Sequence, residues 1–318
     1  MASRAPALSV VMQSHHAAAY ITEAIESILS QTYSDFELII VDGASADGTA
    51  DVIRRAARRD ARIRPVLLSR RYQRGPCANL GIALARAPLV ARMDADDIAL
   101  PDRFRQQLDW MRVNDVDVCG AHAVRFGART ELLTFPETHA GIAFELCFRA
   151  ALLNQTTISR TRVLRASPYG RTAFEDYELW VRLAATHRMG NVPEVLLRYR
   201  AHAGQCTTLE RRDIHRDLAR YRFRHFYRMF PGTPMAEYLP IARMSDRLPM
   251  ESLAQLECAA RWLIRLSEPP DLSLRARMLR RWRDTCEASA ALGDEVMAIR
   301  SRYETILDSL VCAMQSAA

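Results

Sequence analysis

The run Leu89-Val90-Ala91-Arg92-Met93-Asp94-Ala95-Asp96-Asp97 decides the fold. Its first five residues read as a short buried strand, and three carboxylates follow at once. In an open α/β sheet the ligand crevice lies at the carboxyl ends of the strands, which is where these acids fall. Carboxylates packed this closely repel one another unless something positive joins them. A divalent cation with oxygen ligands meets that need. If the cation also holds phosphate oxygens, the place becomes a site for a phosphate leaving group. The competing interpretation is a solvated acidic loop opening the next helix, with Asp97 or Asp102 near its N-terminus. For an isolated acidic triplet that interpretation is the better one, so the flanking sequence has to decide.

Upstream, Leu8 to Met12 is a β-branched run read as the first strand, followed by the polar turn Gln13-Ser14-His15-His16. Residues 20–30 have helical spacing, with Ile21, Ile25, Ile28 and Leu29 on one face. Residues 36–41 form a second buried strand that stops at Asp42-Gly43-Ala44-Ser45-Ala46-Asp47-Gly48-Thr49, a run of turn and capping residues. A helix over 49–59 carries Val52, Ile53 and Ala56 inward, and 63–68 is a third strand. Pro76 suits the start of a helix reaching about residue 86. After the acids come a helix over 101–114 and a strand over 116–120. This alternation predicts a mostly parallel sheet with right-handed crossovers. Neither G-x-G-x-x-G nor G-x-x-x-x-G-K-[ST] is present, which argues against a dinucleotide fold and a P-loop ATPase.

Downstream the pattern loosens. A helix is expected over 144–153 and a short strand over 156–159. Residues 174–183 read as a loop entering a helix whose inward face holds Tyr177, Trp180, Val181 and Ala184, and 192–200 is strand-like. From Glu210 onward helical periodicity dominates, broken at Pro231, Pro234, Pro240, Pro249 and Pro269-Pro270. The expected organisation is a catalytic domain over 1–205 and a helical region over 206–318.

The composition is that of an ordinary soluble globular chain, 49% apolar and 25% charged. No run of 18 apolar residues suggests a membrane span, and the N-terminus has no signal-peptide apolar core. Seven scattered cysteines, never in C-x-x-C, suit reduced thiols and a cytoplasmic setting better than zinc or disulfides. All the cations are arginine, and the net charge of +7 is spread along the chain. A nucleic-acid protein would more often concentrate it in a patch, so no nucleic-acid partner is expected. Residues 211–230 interleave seven arginines with Tyr221, Phe223, Phe226 and Tyr227. Such a segment suits either an anionic membrane surface or a solvated helix packed on a core.

Five stretches, in order, resemble the family 2 inverting glycosyltransferases with a GT-A fold. They are Ser9-Val10-Val11-Met12 with the helix Ala24-Ile25-Glu26-Ser27-Ile28-Leu29-Ser30-Gln31-Thr32-Tyr33; Phe36 to Asp42 with Ser45 and Asp47-Gly48-Thr49; Asn79-Leu80-Gly81-Ile82-Ala83; the Asp-X-Asp run Asp94-Ala95-Asp96-Asp97 with Leu100-Pro101-Asp102-Arg103; and Glu175-Asp176-Tyr177-Glu178-Leu179-Trp180 with the segment from Pro193 to Arg200 and His202. The resemblance covers about two thirds of the chain and ends near residue 208. It implies an α/β fold with a Rossmann-like, mostly parallel sheet flanked by helices, plus a helical appendage.

The resemblance also implies roles. Asp42 accepts a hydrogen bond from the nucleotide base, and Gln13 and His15 line the same pocket. Asp94 meets the ribose or a metal-bound water, Asp96 ligates Mn²⁺ or Mg²⁺, and Asp97 shares either duty. His202 is a further metal or phosphate contact. Arg71, Arg74, Arg198 and Arg200 are candidates for the diphosphate. Asp176 is the general base that deprotonates the acceptor hydroxyl, and Glu175 positions the loop or the sugar. The donor implied is a nucleotide-diphosphate sugar, a UDP-sugar first, with GDP and dTDP open. The acceptor is a growing surface glycan or a lipid-linked saccharide, reached from the cytoplasm with at most peripheral membrane contact. Relatives often carry a Tyr-Asn turn after the first strand and a second aspartate after the first one; Gln13-Ser14-His15-His16 and Gly43 stand there instead. Two rivals share the fold: a sugar-phosphate nucleotidyltransferase and a non-catalytic nucleotide-sugar-binding scaffold. Outside the resemblance, Asp42 is an ordinary turn residue, Glu175-Asp176 an ordinary helix N-terminal acid pair, and Trp180 a core residue.

Overall fold

The computed structural model describes residues 4–202, 211–266 and 272–315. The chain divides into two compact units, one formed by Met1–Phe135 with Leu152–Asp217 and the other by Pro136–Ala151 with Leu218–Ala318. The expected boundary at 205/206 lies outside the described residues.

The first unit is built on strands β1 (Leu8–Ser14), β2 (Phe36–Asp42), β3 (Ile63–Leu67), β4 (Leu89–Asp94), β5 (Ile98–Ala99), β6 (Val118–Gly127), β7 (Glu131–Leu133), β8 (Ile158–Arg160) and β9 (Met189–Ala201). They form one sheet in the order β3-β2-β1-β4-β8-β6-β9-β5, with β7 paired to β6. Helices α1 (Ile21–Leu29), α2 (Thr49–Arg59) and α3 (Arg74–Leu84) make the crossovers among the first four strands, and those strands are parallel. Every residue of β2 is buried, and β1 has only Gln13 partly exposed, as strands covered on both faces require. Gly81 of α3 permits close packing: a Cβ there would lie 2.4 Å from Val11 Cγ1. Register sets Ser14 beside Asp42 and Gln13 beside Asp94. The carboxyl ends of β1, β2 and β4 therefore finish level.

Beyond β4 the sheet changes character. β8 is antiparallel to both β4 and β6, whereas β9 runs parallel to β6. The pairing of β9 jumps from Ala121↔Val192 to His122↔Val195. Pro193 explains the jump, because it has no N–H to donate and loops out with exposed Glu194. β9 outruns the expected 192–200, and β5 and β7 are additions too short for periodicity to reveal. Helix α4 (Arg103–Asn114) and the helix α7 (Glu175–Leu183) stand close to where they were expected. The expected strand at 156–159 is instead a 3-10 turn (Asn154–Thr156) followed by β8.

In the second unit, α5 (His139–Leu146), which starts earlier than the expected 144–153, packs with α8 (Arg211–Met229), α9 (Met235–Ser245), α10 (Leu253–Leu266), α11 (Leu272–Ala288) and α12 (Glu295–Gln315); the short α6 (Thr161–Ala166) belongs to the first unit. Phe144, Phe148, Phe226, Trp262 and Trp282 fill its core, with the Phe226 and Trp262 rings 4.8 Å apart. Breaks fall at Pro231, Pro234 and Pro249, but α9 continues through Pro240. The N–H that Pro240 lacks would have reached the carbonyl of Ala236, an exposed residue where water can substitute. Pro269-Pro270 lies outside the described residues. No helix among them is long and apolar enough to cross a membrane.

Candidate active site

The acids after β4 converge. Asp94, Asp96 and Asp97 each offer an oxygen, and these atoms lie within 4.8 Å of one another. Burial first, and then the Asp96 charge, push the Asp94 carboxyl up to about 6, with Asp176 adding in the same direction and Arg92 and Arg74 opposing. Asp97 is fully buried and is raised well above its ordinary value, by burial first and then by Asp96 and Asp94. Its Oδ1 accepts the Arg200 backbone N–H at 2.8 Å. Its Oδ2 has no hydrogen-bond partner among the described residues. His202 Nε2 stands 3.0 Å from Asp96 Oδ2. Oxygen-rich and crowded, this donor set fits a hard divalent cation such as Mg²⁺ or Mn²⁺.

The loops after β1 and β2 brace each other. Asp42 is buried. It accepts from Ser14 Oγ at 2.8 Å, Ser45 Oγ at 2.6 Å and the Ser45 N–H at 3.0 Å. Asp47 accepts the Ala18 N–H at 3.0 Å and the Thr49 hydroxyl at 2.6 Å, and Thr49 Oγ1 accepts the Ala17 N–H at 2.9 Å. The turn residues after β2 thus hold the turn after β1 in shape. His15 is exposed on that turn. The pKa of its imidazole is lowered by partial burial, then by the charges of His16 and of exposed Arg71.

A second chain of contacts runs to α7. Gln13 donates through Nε2 to the Arg74 carbonyl and accepts from Arg92 Nη2. Arg92 also donates to the Val11 carbonyl at 2.9 Å. Arg74 grips Glu175 with two nitrogens, Nε to Oε1 at 3.0 Å and Nη2 to Oε2 at 3.1 Å. Even so, burial and then the Asp176 charge raise the Glu175 carboxyl to about 7. Asp176 is half-buried in the first turn of α7 and accepts the Tyr177 N–H at 2.7 Å. Tyr177, Trp180 and Val181 bury beneath it, which anchors the helix and aims its acidic N-terminus. Trp180 is wholly buried, a core residue.

The strand arginines separate. Arg200 donates from Nε to the Asp96 carbonyl at 2.8 Å and from Nη2 to Glu23, and it lies over the Tyr20 ring. Arg198 is exposed with its guanidinium 4.4 Å from the Phe126 ring centroid. The structure therefore gathers Asp94, Asp96, Asp97, His202 and Arg200 in one cluster, and Gln13, Arg74, Glu175 and Asp176 along one line of contacts. Two buried residues escaped the sequence reading, Arg92 and Arg103. Arg103 donates to the Arg92 carbonyl at 2.8 Å. Burial lowers its guanidinium to about 9, while Asp97 acts to raise it. The available signals were a lone arginine inside the apolar strand at Arg92 and the place of Arg103 in the family-like stretch Leu100-Pro101-Asp102-Arg103.

The family model for Glycosyl transferase family 2 matches residues 9–177, from β1 into the first turn of α7. The O-antigen biosynthesis glycosyltransferase WbnJ of Escherichia coli is 32% identical over 204 residues, covering 61% of this chain and 80% of that protein. Among solved structures, S. aureus TarS 1–349 in complex with UDP-GlcNAc aligns with a TM-score of 0.61 at 15% identity, over 95% of this chain and 90% of that one. The mannosyltransferase PcManGT from Pyrobaculum calidifontis, in complex with GDP-Man and Mn²⁺, aligns with a TM-score of 0.53 at 17% identity, over 98% of this chain and 87% of that one. These two likenesses bear on the fold, which is GT-A with a helical C-terminal region. The matched segment spans more than half the sequence and contains the acid cluster and the start of α7, and the chain therefore belongs to glycosyl transferase family 2 and is a glycosyltransferase.

Proposed function

We propose that this glycosyltransferase is metal-dependent and inverting, and moves a sugar from a nucleotide-diphosphate sugar to a hydroxyl acceptor in one displacement. The observation that carries the reading is the convergence of three carboxylates within 4.8 Å at the end of β4, with Asp176 near enough for its charge to act on Asp94. Asp94, Asp96 and Asp97 would hold Mn²⁺ or Mg²⁺, with His202 beside Asp96 as a further ligand. When bound, the cation supplies positive charge to the leaving diphosphate. Asp176 takes the proton of the acceptor hydroxyl. The new bond forms from the acceptor oxygen to the anomeric carbon as the bond from that carbon to the diphosphate oxygen breaks, and the electron pair leaves with the diphosphate.

On the donor side, the braced turns carrying Gln13, His15 and Asp42 form the base pocket. Arg71, exposed in the segment after β3, would meet the diphosphate. Arg74 and Arg200, engaged by Glu175 and by Glu23, serve to position the two acidic elements, and Arg198 on Phe126 has no assigned donor contact. The solved relatives that hold UDP-GlcNAc and GDP-Man support a nucleotide-sugar donor. A relative named for O-antigen biosynthesis supports a saccharide or lipid-linked saccharide acceptor in surface polysaccharide synthesis, reached from the cytoplasmic side of the membrane.

The test is thermal melting with UDP-, GDP-, dTDP- and CMP-sugars, each with Mn²⁺, Mg²⁺ or EDTA. A donor at 100 times its dissociation constant adds about 2.7 kcal/mol of stability. One nucleotide class should give a metal-dependent rise that Asp96→Ala abolishes. No rise with any donor, or an equal rise in Asp96→Ala, would overturn the reading.

A further inference from the structure

One face of the helical unit has no part in the chemistry above. On α8, Tyr221, Arg222, His225 and Phe226 are buried, while Arg220, Phe223, Arg224 and Arg228 are exposed and Tyr227 is half-buried. At ~100° per residue, the exposed positions form one arc, with Phe223 and Tyr227 as a stripe beside the stripe of Arg220, Arg224 and Arg228. The neighbouring α9 extends the apolar side. The Phe223 ring packs 5.2 Å from Tyr238, and α9 exposes Met235 and Leu239, four residues apart on one stripe. Phe223, Met235 and Leu239 are 38%, 51% and 48% exposed, far more than core packing would leave them. Among the described residues no ion pair engages Arg220 or Arg224, although half-buried Asp217, one turn before Arg220, lies on the same side of α8. Asp246 is paired with buried Arg222 at 2.5 Å, and Glu237 sits two residues from Met235, on the other side of α9.

We propose that this face of α8 and α9 docks on an anionic phospholipid surface, with Phe223, Met235 and Leu239 entering the headgroup layer and Arg220, Arg224 and Arg228 meeting lipid phosphates. The pairing of a basic stripe with an apolar stripe selects this occupant. Arginine stems bury along apolar surface while their heads stay at the polar boundary, and interfacial helices combine these two features. A second copy of the chain would have to bury the same three arginines against one another. The inference deepens the membrane-side acceptor of the proposed function, but its test needs no donor and no turnover, so the two can fail separately.

The experiment is sedimentation of the full chain with vesicles of an equal mixture of phosphatidylglycerol and phosphatidylcholine, against pure phosphatidylcholine, at low and high salt. The protein should bind the mixed vesicles, bind pure phosphatidylcholine much more weakly, and dissociate as salt rises. The triple variant Arg220→Gln, Arg224→Gln, Arg228→Gln should partition roughly 100-fold less well. The variant Phe223→Ser, Met235→Ser, Leu239→Ser should lose binding at every salt concentration. Melting curves without vesicles establish that each variant is folded; if either triple variant is not, the single Arg224→Gln should still weaken binding about fivefold. Failure of the native chain to bind the mixed vesicles, or equal binding by folded variants, would overturn the proposal. Concentration-dependent dimerisation lost in the apolar variant, with no vesicle binding, would overturn it in favour of self-association.

Discussion

Asp97 of the sheet unit and Glu145 of the helical unit are both buried carboxylates, in opposite settings. Glu145 bonds to Arg149 and lies 3.7 Å from Arg281. Asp97 faces the buried Arg103, whose charge it helps to hold, but it is also crowded by Asp94 and Asp96, whose charges make its own ionised form harder to hold. A buried acid beside guanidinium groups serves the fold, since removing either partner strands a charge. A buried acid beside other acids opposes the fold unless something positive arrives, and such perturbed groups mark functional sites. The contrast teaches that burial alone does not tell structural from functional charge; the sign of the neighbours does.

The largest effect that can sharpen this contrast is on rate. Asp176→Asn should keep metal-dependent donor binding by calorimetry and lower transfer by ~10³-fold, within the range for a general base; near-normal turnover would remove Asp176 from that role. Glu145→Gln should lower stability by about 3 kcal/mol in denaturant unfolding, because Arg281 is left buried with its partner neutralised. Asp97→Asn should cost clearly less than this in EDTA, because the loss of one of three like charges offsets the loss of the charge that faces buried Arg103, and it should shrink the metal-induced melting shift. If Asp97→Asn and Glu145→Gln destabilise alike, the distinction between the two settings fails.

The last effect is a pH dependence at Glu175. Its folded carboxyl is raised to about 7 from an ordinary 4.5, mainly by burial and then by Asp176. The folded chain therefore binds this proton more tightly than the unfolded chain. Its stabilising contribution is complete below the unfolded value and is lost as pH rises through about 7. In EDTA, the melting temperature of the native chain should fall between pH 4.5 and 7 by more than that of Glu175→Gln. Parallel profiles would show that Arg74 already holds Glu175 ionised.

The parallel half of the sheet was legible because β1, β2 and β4 are apolar runs ending in polar turns, and their helices carry clean stripes. The antiparallel half was not. β5 and β7 have two and three residues, too few to show a period, and β9 loops out at Pro193, which interrupts its alternation. In the second unit the prolines misled at Pro240, where an exposed carbonyl permits the helix to continue.

The candidate site divides along the same line. By itself the sequence determined that Asp94, Asp96 and Asp97 follow a buried strand, that Asp42 ends another, and that Glu175 and Asp176 open a helix, because these facts depend on neighbours in the chain. Only the tertiary structure decided that His202 would meet Asp96 across 106 residues, that Gln13 would join Arg92 to Arg74, that Arg200 would clamp the acid loop and Glu23, and that Arg103 would be buried beneath the acids. Those contacts depend on strand order and register. Both are set by the packing of the whole unit, and a local pattern of apolar and polar residues does not encode them.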